Sequence, residues 1–123
     1  MTRREIVEQY IAAYNTFNPE AMCLYLTPNV IFRNVSNGQT TLELLGIEAF
    51  RQQAQQACIF FSTRHQRPTS WNEADDSIEV TIDYEAVFKM KVGGFEEDQK
   101  ISLQGKSIFI FENDKICQIE DHS

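Results

Sequence analysis

The sequence predicts an α+β fold in which a curled antiparallel β-sheet wraps the N-terminal helices. Two observations lead there. The helical patterns come first and the long strand patterns follow, the order of an α+β domain rather than of alternating α/β units. The stretch Ile78 to Met90 also alternates: Ile78, Val80, Ile82, Tyr84, Ala86, Phe88 and Met90 against Glu79, Thr81, Asp83, Glu85 and Lys89, with Val87 as the one break. Such period-two alternation marks a strand with one buried face. Fully extended it spans roughly 43 Å, whereas a chain of this length folds to a diameter near ~35 Å. A flat strand does not fit, so the sheet must twist, bulge or curl, and the helices are the natural object to curl around. A bulge is expected at Val87.

The elements follow in order. Residues 3 to 17 form an amphipathic helix, with Ile6, Tyr10, Ala13 or Tyr14, and Phe17 on one stripe, Val7 and Ile11 beside it, and Arg3, Arg4, Glu5, Glu8 and Gln9 opposite. Asn18-Pro19-Glu20 starts a second helix, with a capping side chain, a proline at the first helical position and an acid at the positive end of the dipole. Pro28 keeps it short. Val30 to Val35 is a short strand, Asn37-Gly38 a tight turn, and Gln39 to Leu45 a loop or weak returning strand. Gly46 opens a third helix with Ile47, Phe50, Ala54 and Ala57 or Cys58 inward, and Gln52, Gln53, Gln55 and Gln56 outward. Ile59 to Trp71 is a strand in which Pro68 demands an edge or a bulge. After a polar turn and the long strand, Gly93-Gly94 turns the chain into Ile101 to Phe111. Asn113-Asp114 then leads into Ile116 to Asp121. Ile108-Phe109-Ile110-Phe111 is apolar on both faces, so the outer sheet face needs a cover, and a second copy of the chain is the expected one.

The bulk properties narrow the function. A length of 123 residues suits one domain with a core that needs no staples. Nine Phe and four Tyr supply large planar walls for a core or pocket. A net charge of -7 argues against nucleic acid, which requires a basic face. Three cysteines, Cys23, Cys58 and Cys117, without a CxxC pair suit a reducing compartment. No apolar run approaches the ~20 residues of a membrane span, and the charged, helical MTRREIVEQY does not read as a signal peptide, so the expectation is a cytoplasmic protein with no membrane partner. No HExxH, GxGxxG, P-loop or GxSxG motif occurs; no metal and no cofactor are expected.

The stretches YIAAYNTFNPEAMCLYLTPNVIFRN, Gly46-Ile47-Glu48-Ala49-Phe50 and GKSIFIFENDKICQIEDHS resemble the nuclear transport factor 2-like superfamily, and within it the SnoaL-like and ketosteroid-isomerase-like domains. The resemblance covers essentially the whole chain, read as one domain, 1–123. It implies a cone-shaped sheet around the helices, a cystatin-like α+β barrel, with an apolar pocket at its open end and dimers packed through the outer sheet face. Relatives include isomerases, cyclases, dehydratases, epoxide hydrolases and noncatalytic binding modules, so the fold does not settle the chemistry. The resemblance places Tyr10 where a ketosteroid isomerase has its oxyanion-stabilising Tyr. Asn34 stands at the position of the carboxylate base, and Ser107 at that of a protonated Asp. An amide is no general base, so two of the three groups are missing and the usual isomerase mechanism is not expected.

Two residues are left as catalytic candidates. His65 is one, because Thr63, His65 and Arg67 share a face with Ile59, Phe61 and Trp71 if no bulge intervenes, and an imidazole can act as base at neutral pH. Asp121 is the other, because one of Glu120 and Asp121 must face inward. The ligand-pocket set is Tyr10, Tyr14, Phe32, Asn34, His65, Tyr84 and Ser107. The expected function is binding of a small, apolar organic molecule. The alternatives are an isomerase, cyclase or dehydratase acting on such a molecule, and a protein-interaction module whose cone is filled by side chains.

Overall fold

The computed structural model describes residues 1–123, in the order α1 (Arg3–Asn15), α2 (Pro19–Cys23), β1 (Leu26–Ser36), β2 (Gln39–Leu45), α3 (Ile47–Phe60), β3 (Phe61–Glu73), β4 (Ser77–Phe88), β5 (Lys100–Glu112) and β6 (Lys115–His122). Helix α1 starts at a capping box. The Glu5 amide donates to Thr2 Oγ1 (3.1 Å), and the Thr2 amide donates back to Glu5 Oε1 (2.8 Å). Its buried stripe, Ile6, Val7, Tyr10, Ile11 and Ala13, follows the predicted spacing. Phe17 takes a left-handed turn (φ 56°), and Asn18 caps α2 through the Ala21 amide, with Pro19 at the first position. No helix is long and apolar enough to cross a membrane.

Strand β1 is longer than the predicted Val30 to Val35 because Pro28 is absorbed in an irregular register between Leu26 and Ile31 against β6. Asn37 (φ 52°) and Gly38 (φ 78°) both take positive φ, as a two-residue hairpin turn requires. The segment that follows is a strand, paired from Ile31↔Leu45 to Ser36↔Gln39 with one irregularity opposite Asn34 and Val35, where Thr41 is inserted.

The six strands form one sheet in the order β2-β1-β6-β5-β4-β3. It is curled but open: β2 and β3 are edges, and the barrel does not close. It is also not wholly antiparallel, since β1 and β6 pair in parallel. Alternation fixes which face a strand buries but not the direction of its neighbour. This pairing joins the first and last strands of the chain.

The long strand ends at Phe88, and Met90 is exposed. Its predicted inner face is otherwise as expected, with Ile78, Val80, Ile82, Ala86 and Phe88 buried and Tyr84 half-buried. β4 itself carries no bulge against β5; the register runs unbroken from Ser77↔Ile110 to Val87↔Lys100. The irregularity expected at Val87 lies across from it on β3, between Phe61 and Thr63, and a second follows between Pro68 and Ser70. Each inserts a residue and bends the edge strand, and Pro68 marks the second. Gly93-Gly94 turns a small Val92–Phe95 bridge rather than joining β4 to β5 directly, and Phe95 stacks on Phe88 (4.6 Å between centroids).

Phe109, Ile78, Ile116, Ile119, Val30 and Val80 form the centre of the core, each at most 2% exposed. Burying each such side chain contributes about 1.5–3 kcal/mol. On β5, Phe109 and Phe111 point inward, while Ile108 and Ile110 lie half-buried on the outer face, beside Glu79, Glu120 and Gln118. At Gly105 a Cβ would meet the His122 carbonyl oxygen at 2.5 Å. The absence of a side chain there lets the end of β6 lie close against β5, which positions the residue before it, Asp121.

Candidate functional site

Two rungs of the inner sheet face define the site. One is apolar: Leu44, Phe32, Ile119, Phe109 and Ile78 pair across β2, β1, β6, β5 and β4. The next rung towards the mouth is Leu42, Asn34, Asp121, Ser107, Val80 and Trp71. Three neighbouring polar side chains thus interrupt an otherwise apolar rung, and they come from the first, last and penultimate strands.

Asp121 takes the inward position, and Ser107 Oγ donates a hydrogen bond to its Oδ1 at 2.6 Å. Burial raises the carboxyl from 3.8 to about 6, against the opposing effects of the Ser107 bond and the His122 charge. Glu120 faces outward. It accepts from Arg33 (3.5 Å) and Gln118 (2.8 Å) and contacts His122 Nε2 (3.0 Å), and these partners, His122 first, lower its pKa. The two adjacent carboxylates, both half-buried, therefore differ in what they face: one is an ion-pair partner on the outer side, the other lines the cavity, where burial raises its pKa.

Tyr10 is buried on α1, edge-on to Phe109 (5.4 Å) and near Phe50 (6.4 Å). Desolvation, reinforced by the Asp121 charge, holds its phenol well above the ordinary value. The Tyr14 hydroxyl donates to the Tyr84 hydroxyl at 2.9 Å, and burial keeps both phenols protonated beyond their usual range. These two bond to each other through that one hydrogen bond, and the Tyr84 hydroxyl proton has no partner in the chain. Tyr10 and Asn34 differ: neither side chain bonds within the protein, yet no fully buried side-chain polar atom is left unpaired. Both polar ends therefore border open space.

That space comprises two compartments. An inner chamber of about 190 Å³ lies among α1, α3 and the β1–β2 end of the sheet. Tyr10, Phe32, Leu42, Leu44 and Phe50 line it, together with Asn34, Arg64 and Asp121. An open cleft of about 320 Å³ lies over β4, β5 and the end of β6 and includes Tyr84 and Ser107. Tyr14, Asn34, Gln66 and Asp121 border both. Gln53 lines the chamber from α3, although the spacing of that helix predicts an outward position for it.

Of the expected residues, Tyr10, Tyr14, Phe32, Asn34, Tyr84, Ser107 and Asp121 come together around these compartments. His65 does not. It is exposed on the outer face of β3, on shallow grooves beside Arg67. The irregularity after Phe61 shifts the alternation by one, so Arg64 and Gln66 take the inner positions instead. Arg64 packs over the Tyr14 and Phe17 rings at 3.8 and 4.7 Å and is almost fully buried. Simple alternation from Phe61 hides both residues, and only Pro68 hinted that β3 would be irregular.

The SnoaL-like domain family model matches residues 7–119. No curated protein matches the chain. Among solved structures, a candidate polyketide cyclase from Xanthomonas campestris pv. campestris aligns with a TM-score of 0.84 at 18% identity, over 98% of this chain and 89% of that one. A hypothetical protein of ketosteroid isomerase-like fold from Catenulispora acidiphila, in complex with trimethylamine, aligns at 0.80 and 17% identity, over 99% and 87%. An uncharacterised cystatin-fold protein from Novosphingobium aromaticivorans aligns at 0.78 and 18%, over 98% and 97%. At such identities the likeness is one of fold. With the domain model spanning nearly all of the chain and the curled sheet around N-terminal helices common to these structures, the chain belongs to the SnoaL-like domain family.

Proposed function

We infer that the protein binds a small, largely apolar organic molecule in the inner chamber. One observation carries this: an aromatic and aliphatic chamber keeps polar groups that the fold itself does not use, namely the Tyr10 hydroxyl from α1 and the Asn34 amide from β1. An apolar cavity with a few convergent polar groups is the usual form of a small-molecule site. A cone that served only as an interaction platform would have these positions filled.

Asp121 favours a second reading, in which the bound molecule undergoes proton transfer. A carboxyl raised to about 6 is poised to exchange a proton near neutrality. Tyr10, protonated and close enough to be affected by the Asp121 charge, can donate to an oxygen that gains charge. Asp121 on the last strand thereby supplies a carboxylate that the first strand lacks at Asn34.

One experiment addresses both readings. The ketone 2-tetralone is expected to shift the NMR signals of Tyr10, Phe32 and Phe50, and Ala54→Phe, which fills the chamber, should abolish the shifts while the circular dichroism spectrum stays native. Shifts confined to the outer sheet face would instead favour the interaction module. For proton transfer, exchange of the α-protons of 2-tetralone in D₂O is expected to fall by ~10²-fold or more in Asp121→Asn. Binding without exchange would leave a binding protein.

The half-buried Ile108 and Ile110 support a homodimer through the outer sheet face. Sedimentation at micromolar concentration is expected to give twice the 14.3 kDa chain mass, and a monomer would refute it.

A further inference from the structure

We propose that the chamber selects an organic monocarboxylate and that Arg64 binds its carboxylate. The proposal rests on the chamber holding a ligand and names that ligand's charge. Arg64 is 5% exposed and forms no ion pair, whereas Arg33, Arg51 and Arg67 all do. Its Nε donates to the Tyr14 carbonyl oxygen at 3.0 Å, at the end of α1, where the helix dipole favours a cation. Nη2 donates to Cys58 Sγ at 3.6 Å, a weak acceptor. Tyr14 and Phe17 cover its faces.

These contacts place the group but leave part of its fork free. A guanidinium has five N–H donors and keeps its charge at any working pH. Nη1 bonds to nothing within the chain, yet no fully buried side-chain nitrogen lacks a partner. Nη1 therefore keeps exposed surface, and Arg64 is among the residues that line the inner chamber. A desolvated cation without an anion is costly. A carboxylate on the ligand would remove that cost and fit the planar fork.

The rest of the lining narrows the class. Arg64 and Asp121 are the only charged residues around the chamber. One cation suits a single negative charge, and a phosphate dianion would lack a second. Arg64 stands opposite Ala86 on the sheet, and Asp121 lies on the rung of Val80, so the two face the chamber from different places. A dicarboxylate would bring its second charge towards Asp121. The aromatic and aliphatic walls favour an apolar body between the two ends.

The test compares 2-naphthoate with its neutral counterpart 2-naphthamide by calorimetry at pH 7.5. The wild type is expected to bind the acid about tenfold more tightly or better, as a buried charge-assisted hydrogen bond allows. Arg64→Met should erase the preference and Arg64→Lys should keep part of it. If Arg64→Met does not fold, the wild type and Arg64→Lys decide. Equal affinity for acid and amide in the wild type, or a preference that survives Arg64→Met, overturns the carboxylate site. With 2-tetralone still bound, only the charge assignment has then failed. If none of the three probes binds, the chamber is not a ligand site and both proposals fail.

Discussion

Asp121→Asn is expected to stabilise the protein at pH 7 by about 1–2 kcal/mol, less than the full pKa shift because the half-buried carboxylate keeps part of its hydration, with the gain vanishing below pH 4. The folded carboxyl keeps its proton up to about pH 6, whereas the unfolded chain releases it near 3.8. Between those values the folded state binds more protons, so this group's contribution to stability falls as pH rises through the window. Above it, the wild type bears the cost of a partly desolvated anion. The amide has the same shape and no charge, and the Ser107 hydroxyl can still donate to its oxygen. Below 3.8 both side chains are neutral and the two proteins should match. Urea unfolding of both proteins at pH 7 and pH 4 measures this directly, since every other carboxylate cancels in the difference. Equal stability at pH 7 would mean that the carboxylate is well solvated, and the case for an acid–base role would go with it. A variant that gains stability while losing proton exchange is the pattern of a functional group that the fold retains at a cost.

Phe109→Ala is expected to cost about 3–5 kcal/mol, a large share of the 5–15 kcal/mol typical of a domain. Phe109 is 1% exposed and sits on the apolar rung between Ile119 and Ile78, edge-on beneath Tyr10. The loss combines the transfer free energy of the ring, the cavity left in a layer that only partly relaxes, and an aromatic edge contact of about 0.5–1.5 kcal/mol. Denaturant unfolding with an unchanged m-value should read it as a shift in midpoint. Tyr10 would lose its support, so weaker 2-tetralone binding should accompany the destabilisation. A cost below about 1 kcal/mol would show that the helix layer collapses into the gap.

Much of this was legible along the chain. The 3.6-residue spacing of Ile6, Tyr10 and Ala13 marks α1 and its buried stripe, and the Asn37-Gly38 pair marks a turn that requires positive φ. The alternation from Ile78 to Phe88 gives the inner face of β4 because that strand is unbroken against β5. The site was harder to read because its strands are not regular. On β6 the register slips near Cys117: Phe111 pairs with Ile116, but Ile110 pairs with Gln118. Alternation counted from Ile116 would point Glu120 inward, and the slip turns Asp121 in instead. On β3 a slip beside Ser62 exchanges His65 for Arg64.

The sequence by itself determined the α+β class, the element order, the inner face of the long strand and several of the residues around the cavity. These depend on local spacing, which each segment carries within itself. Only the tertiary structure decided the parallel pairing of β1 with β6, the open edge at β3, which carboxylate is desolvated and which cation is buried without a counter-ion. The physical reason is that one inserted residue reverses every side chain beyond it. Where that residue falls is set by how neighbouring strands bend around the helices, and local pattern does not record it.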